Sequence, residues 1–304
     1  MMNPDQSAPA RSSTARALLL GMRPVQWMKN AALLAPLVFS QHVGELERER
    51  DTLLAILSFC LLSSGVYLAN DIADVEQDRL HPDKRLRPLA SGALTVPLAG
   101  AAAAILIALA LALGLLLPHS FDACLLAYLA LQLAYNLRLK HVVLLDVFAI
   151  AAGFVLRVVA GAVAIAVPVS NWLYLCTMLL ALFLALGKRR AELQSLGEGA
   201  QSHRQNLRDY SLPLTDQLLA AIAAATILAY ALYTVAPENV ARFGSDRLKF
   251  TIPCVIFGIF RYLFLIQQRQ EGGRPERVLL RDRHTQLNLL IYCLVVGWAL
   301  WSGR

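Results

Sequence analysis

The sequence predicts an all-α polytopic membrane protein, and three observations predict it. Of 304 residues, 57% are hydrophobic and only 16% charged, against roughly 25% charged in soluble domains. Apolar stretches close to the ~20 residues that cross a bilayer recur from Leu18 to Trp301. Lys and Arg concentrate in alternate connecting segments, the asymmetry that orients a membrane protein. The surroundings expected of such a chain are membrane lipids, and no nucleic-acid partner is expected.

In chain order, residues 1–15, rich in Ser, Ala and Pro, are expected to be a disordered cytoplasmic N-terminus. Arg11 and Arg16 precede a short apolar run with some likeness to a signal peptide, but Arg23 interrupts it and no clear cleavage site follows. The run is therefore expected to be retained. Nine spans follow, near 24–42, 52–70, 97–117, 121–137, 143–166, 170–187, 214–235, 248–268 and 286–302. The third, with the low-information run "LAGAAAAILIALALALGLLL", is expected to face lipid. Cys60, Cys124, Cys176, Cys254 and Cys293 each lie in a separate apolar stretch without metal-ligand spacing, and read as small hydrophobes. One set of connecting segments holds 20 Lys and Arg and the opposite set 6, with Arg157 and Arg261 inside spans. This places the N-terminus in the cytoplasm and the C-terminus outside.

The second span runs inward and ends in "NDIADVEQDRLHPDKRLRP", residues 70–88. At about 100° per residue, Asn70, Asp71, Asp74 and Asp78 share one face if the helix continues. Three carboxylates at a helix C-terminus repel one another and the negative end of the macrodipole, so a cation is expected among them. Hard oxygen ligands suit Mg²⁺, which bridges to substrate phosphates. Past Pro82, which disfavours helix, Lys84, Arg85 and Arg87 offer donors for phosphate oxygens. The plain alternative is a solvated charged loop held by its own ion pairs.

"NDIADVEQD" resembles the first aspartate motif of the UbiA superfamily of intramembrane prenyltransferases. The longer run to Gly92 resembles one branch, the decaprenyl-phosphate phosphoribosyltransferases, as do "RPVQWMKN" (23–30), "YNLRLKHVVLLDV" (135–147), "GKRRAEL" (187–193) and "LRDR" (280–283). The resemblance covers nearly the whole chain from Arg23. It implies one catalytic domain over 16–304, a nine-helix bundle with a cytoplasm-facing polar cavity, and two substrates, phosphoribosyl pyrophosphate (PRPP) and a polyprenyl phosphate. The chain departs from the aromatic prenyltransferases of the superfamily, which carry a second aspartate-rich motif. After the sixth span Glu192 is the single acid beside Lys188, Arg189 and Arg190. One acidic, metal-binding wall opposite one basic, phosphate-binding wall fits PRPP and a lipid phosphate better than a prenyl diphosphate held by two aspartate clusters.

Other polar residues carry two readings each. Arg23, Gln26 and Asn30, at i, i+3 and i+7, share a helical face with Lys29 at the same level; they orient a substrate phosphate or simply flank a span, with Trp27 as interfacial anchor. Asp146, Gly153 and Arg157 form nearly one stripe of the fifth span. Asp146 belongs near the polar site or merely suits a helix N-terminus; Arg157, deeper, faces the site or an internal partner. Tyr135, Arg138, Lys140 and His141 form a substrate-facing turn or a basic surface loop, and Lys188, Arg189 and Glu192 a phosphate site or helix-surface ion pairs. Residues 274–286 read as a positive-inside loop rather than a site.

The expected reaction is a Mg²⁺-dependent transfer of 5-phosphoribose to the lipid phosphate at Asp71, Asp74 and Asp78, with Asn70 assisting. By the resemblance, the product leads towards a lipid-linked arabinofuranose donor for cell-wall or polysaccharide assembly, in a bacterial inner membrane. An aromatic prenyltransferase of quinone or haem biosynthesis would need the missing second acidic cluster. A secondary transporter of an anion would need broken spans near the midplane. Oligomeric state is left unassigned.

Overall fold

The computed structural model describes residues 14–80, 84–196, 209–269, 273 and 275–301. The expected disordered segment 1–15 lies outside these except at its last two positions, where α1 (Thr14–Met22) already begins. Every regular element among the described residues is helical. The long helices are α3 (Leu46–Ala73), α5 (Val96–Gly114), α6 (His119–Leu137), α7 (Leu145–Ala164), α8 (Asn171–Leu196), α9 (Leu212–Val235), α11 (Ile252–Gln268) and α13 (Arg283–Trp301). Short helices α2 (Ala35–Phe39), α4 (Val75–Leu80), α10 (Pro237–Phe243) and α12 (Pro275–Arg281) occupy the ends of the bundle.

Six segments are long and apolar enough to cross a membrane: 46–73, 96–114, 145–164, 171–194, 212–235 and 247–268. Two more expected spans coincide with α6 and α13, nineteen residues each. Asp122, Gln132 and Asn136 in the one, and Arg283, His284, Gln286 and Asn288 in the other, dilute their apolar character. The first expected span is helical but is not one α-helix. Residues Pro24–Leu34 form a 3₁₀ helix of eleven residues, followed by the five residues of α2. Runs of 3₁₀ beyond three or four residues are uncommon and often mark a functional segment.

Helix starts follow the chain's prolines. Pro24, Pro36, Pro97, Pro213, Pro237 and Pro253 all sit in a first turn, where the missing N–H leaves nothing unbonded. Ser211 adds a side-chain cap to α9, accepting from the Leu214 amide.

Two apolar cores are joined by α7. Its N-terminal half sends Val147 and Ala151 into a core with Leu182, Phe183, Leu219 and Leu265. Its C-terminal half sends Ala160 and Ala164 against Leu33, Phe59, Phe121 and Leu125. In lipid, helices associate through close packing rather than exclusion from water, so small residues mark the contacts. A Cβ on Gly161 would lie 2.4 Å from the Leu33 carbonyl oxygen, and one on Gly65 would lie 2.7 Å from Ile107 Cγ1. These glycines let α7 approach the 3₁₀ segment and α3 approach α5. Of the apolar windows, 61% of α3 and 56% of α7 are buried, against 17% of α5; α5 is peripheral, as its composition leads one to expect.

Candidate active site

The acidic run does not continue one helix. α3 ends at Ala73, and Asp74, at φ −98° and ψ 7°, caps it before α4 begins at Val75. Three carboxylates at a macrodipole's negative end are mutually unfavourable; the break separates them and gives each its own cation. Buried Asp71 pairs through Oδ1 with Arg23, and Arg87 Nη1 lies 3.1 Å from the same oxygen and 2.6 Å from Oδ2 of buried Asp78. Lys84 Nζ is 3.8 Å from Asp78 Oδ1, and Lys140 Nζ is 3.6 Å from Asp74 Oδ1. Asn70 Oδ1 accepts from Asn136 Nδ2 at 2.7 Å. Asp74 thus turns to Lys140 rather than to the other acids, and Asn70 bonds to a neighbouring helix. Arg85 is exposed, with no ion pair among the described residues.

The 3₁₀ segment re-sorts the residues of "RPVQWMKN". With three residues per turn, i, i+3 and i+6 eclipse, so Arg23, Gln26 and Lys29 line one face and Asn30 does not join them. Arg23 reaches Asp71 and stacks 5.0 Å over the Tyr67 ring. Its backbone stands in the left-handed region at φ 55°, a cost of order 1–3 kcal/mol that concentrates at functional sites. Gln26 donates to Glu276 Oε1 at 2.8 Å. Asn30 is buried, accepting from Arg157 Nε at 2.8 Å and donating to Cys60 Sγ at 3.2 Å.

Arg157 is 4% exposed and has no carboxylate within ion-pair distance among the described residues. Its guanidinium donates instead to Asn30, to the Gly153 carbonyl at 2.9 Å and to Tyr128 Oη at 2.7 Å, with the Tyr128 ring 4.7 Å away. A buried cation held by neutral acceptors depends on each of them. Tyr128→Phe is expected to lower stability by about 1.5–3 kcal/mol, read as a fall in the thermal midpoint in detergent.

The basic end is built by α8, α7 and the chain before α9. Arg189 is fully buried; its Nε lies 2.7 Å from Asp146 Oδ2 and its Nη1 pairs with Glu192. Tyr210, which the sequence reading missed, donates to Asp146 Oδ1 at 2.9 Å and accepts from the Leu144 amide at 2.9 Å. Leu144 is itself held at φ 67°. Asp146 and Arg189, both expected at the substrate, pair with each other in the interior. Lys188 Nζ stays 4.0 Å from Glu192 with 43% of its side chain exposed. Tyr135 stands close enough to act electrostatically on Lys188 and Arg189.

Glu276, placed in a positive-inside loop by the sequence reading, faces the site from α12. Burial raises its carboxyl pKa, but its own backbone N–H, the Gln26 amide and the Lys29 and Lys188 ammonium groups outweigh that and hold it below the usual carboxylate range. No periodic signal marks Glu276 or Tyr210, because both lie in connections.

These contacts and charges group Arg23, residues 70–80 and 84–87, Lys140, Lys188–Glu192 and Glu276 at one end of the bundle. They are the five segments that the Lys and Arg count assigns to a single side. Two depressions lie elsewhere. A groove of about 380 Å³ runs along α3 from Leu46 to Leu57, and a smaller one lies beside Pro36, Val167 and Arg242.

Among the described residues no three carboxylate, His or Cys side chains converge as a metal site. Asp71 Oδ2, however, is buried without a hydrogen-bond partner, and Asp78 shares Arg87 with it. One or two carboxylates completed by waters and substrate phosphates are what Mg²⁺ ordinarily takes. The donor set fits Asp71 and Asp78 as ligands better than a three-aspartate set.

A family model, the UbiA prenyltransferase family, matches residues 31–272. The decaprenyl-phosphate phosphoribosyltransferase of Mycolicibacterium smegmatis is 32% identical over 93% of this chain and 92% of its own. The enzymes of that name from Corynebacterium glutamicum and Mycobacterium tuberculosis are each 33% identical over 93% of this chain, covering 87% and 93% of theirs. Among solved structures, a UbiA homologue from Archaeoglobus fulgidus bound to GPP and Mg²⁺ superposes with a TM-score of 0.68. It is 20% identical, over 94% of this chain and 98% of the other. A digeranylgeranylglyceryl phosphate synthase superposes at 0.66, with 17% identity over 95% of this chain and 99% of the other.

Proposed function

We propose, from the premise that this chain belongs to the UbiA prenyltransferase family, that it transfers 5-phosphoribose from PRPP to a polyprenyl phosphate of decaprenyl type. The relatives named for that reaction support the reading. The observation that carries it within this chain is the end of α8. There Lys188, Arg189 and Arg190 are met by Asp146, Glu192 and Asp216, three acids from separate parts of the sequence, and among the described residues by no second aspartate cluster. Two phosphorylated substrates fit that arrangement, with a basic wall facing an acidic one.

Asp71 and Asp78 would hold Mg²⁺, which when bound acts as a Lewis acid on the pyrophosphate of PRPP. Arg87, which bridges the two acids, and Lys84 are set to meet the remaining pyrophosphate charge. Lys29 and Lys188 neutralise the second phosphorylated partner from the facing side. The bond from ribose C1 to the pyrophosphate oxygen breaks, and a lipid phosphate oxygen bonds to C1 from the opposite face. Pyrophosphate leaves with the bonding pair, and the anomeric configuration inverts. No general base is required, because the attacking phosphate is already ionised at neutral pH. Asp146, Arg189 and Tyr210 fix the start of α7 against α8, and so the position of Lys188.

The same reading gives nine membrane crossings in a bacterial inner membrane. The N-terminus and site face the cytoplasm, the C-terminus lies outside, and the lipid tail leaves through the apolar side of the bundle. Purified protein with Mg²⁺, labelled PRPP and a polyprenyl phosphate is expected to form labelled lipid and pyrophosphate, with chelation abolishing both. Reaction instead of a prenyl diphosphate with an aromatic acid, or uptake without a covalent product, would overturn the proposal.

A further inference from the structure

Ion pairs account for nearly every cation in the site. Arg23, Lys84, Arg87, Lys140, Lys188 and Arg189 each have a carboxylate within 4.0 Å. Arg157 is met by neutral acceptors. Arg85 and Lys29 have no ion pair among the described residues; Arg85 is exposed, whereas Lys29 is partly buried and has Arg23 and Arg157 acting on it as like charges. The one carboxylate that offsets it is Glu276. Glu276 does not reach it directly and is hydrogen-bonded instead to Gln26, one 3₁₀ turn away on the same face.

Glu276 belongs to neither wall. It is carried by α12, a two-turn helix in the last connection, seated by Val278 in the core formed by α7, α8, α9 and α11. The carboxylate therefore reaches the Gln26–Lys29–Lys188 group from outside the bundle's own helices. An anion so placed is in the position a substrate phosphate would take, and like charges cannot share it.

We propose that Glu276 is an internal stand-in for a phosphate monoester, occupying the subsite of Gln26, Lys29 and Lys188 until a substrate phosphate displaces it. The inference rests on the proposed function for the identity of that phosphate. Two sources share its chemistry, the 5-phosphate of PRPP and the phosphate of the polyprenyl lipid. Displacement moves α12 away from the 3₁₀ segment, so substrate entry and release are coupled to the last connection. While Glu276 is in place the apparent affinity is reduced by the fraction of molecules with the subsite open.

Removing the charge removes that competition. In the full-length protein, Glu276→Gln is expected to bind inorganic phosphate, without Mg²⁺, on the order of tenfold more tightly than wild type by calorimetry. Glu276→Ala, which also removes the acceptor for Gln26, should do the same. In turnover with Mg²⁺, the KM for one substrate falls by a similar factor and the KM for the other does not, which identifies the source. Lys29→Met raises the KM for that same substrate. Phosphate binding that is unchanged or weaker in both Glu276 variants overturns the inference. Wild-type protein that forms no labelled lipid overturns the proposed function instead, and the calorimetric comparison still decides the role of Glu276.

Discussion

Asp71→Asn is expected to reduce PRPP-dependent turnover by on the order of 10²–10³-fold and to shift the Mg²⁺ dependence to higher concentration. Asp71 is 2% exposed, its Oδ1 is shared by Arg23 and Arg87, and its Oδ2 is buried with no partner. An ionised oxygen left unbonded inside a protein is expensive, so its persistence points to a ligand that arrives with substrate. The Asn variant keeps shape and can still accept from one arginine, but it offers a far weaker metal ligand and leaves two guanidinium groups under-compensated. Asp74→Asn should lose much less, because Asp74 is 33% exposed and its contact is the looser one to Lys140. The comparison requires labelled-lipid formation over a Mg²⁺ titration for both variants in nanodiscs, with thermal midpoints to confirm that each is folded. Equal losses in the two would return Asp74 to the metal site and undo the two-carboxylate assignment.

The limits of the long helices were legible because lipid imposes a single requirement, an apolar run of sufficient length with its backbone bonded internally. Eight of the nine expected spans coincide with a described helix, six of them within four residues at each end, while α3 starts six residues earlier and α8 ends nine residues later than expected. The conformation of the first was not legible, because composition does not distinguish a 3₁₀ helix from an α-helix, and the periodicity assumed there misplaced Asn30. The acids were legible as a cluster, since three aspartates after an apolar span are conspicuous against so little charge elsewhere. Their pairing was not. Which arginine meets Asp71 depends on Arg23, 48 positions away, and on where α3 breaks. Tyr210 and Glu276 were illegible for another reason: connections carry no period, and a residue there joins a site only through the packing of its neighbours, as Val278 does for Glu276.

Arg189→Met is expected to lower stability by about 3–5 kcal/mol, whereas Lys188→Met acts on substrate affinity with a stability change inside about ±0.5 kcal/mol. The two residues are adjacent, and the sequence offers no way to rank them. Their surroundings do. Arg189 is fully buried between Asp146, itself fully buried, and Glu192; removing the guanidinium takes its nearest cation from an interior carboxylate that also accepts from Tyr210. Lys188 keeps 43% of its side chain exposed, and its nearest carboxylate is 4.0 Å away. Breaking one partner of a buried pair is costly while replacing both together is often near neutral. Asp146→Asn with Arg189→Met should therefore recover much of what the single change loses, with a coupling of about 0.5–3 kcal/mol. Thermal midpoints of the wild type, both single variants and the double variant measure that coupling, and steady-state KM values separate it from binding. An Arg189→Met protein with an unchanged midpoint and a raised KM would make Arg189 a substrate contact and leave Asp146 without its structural role.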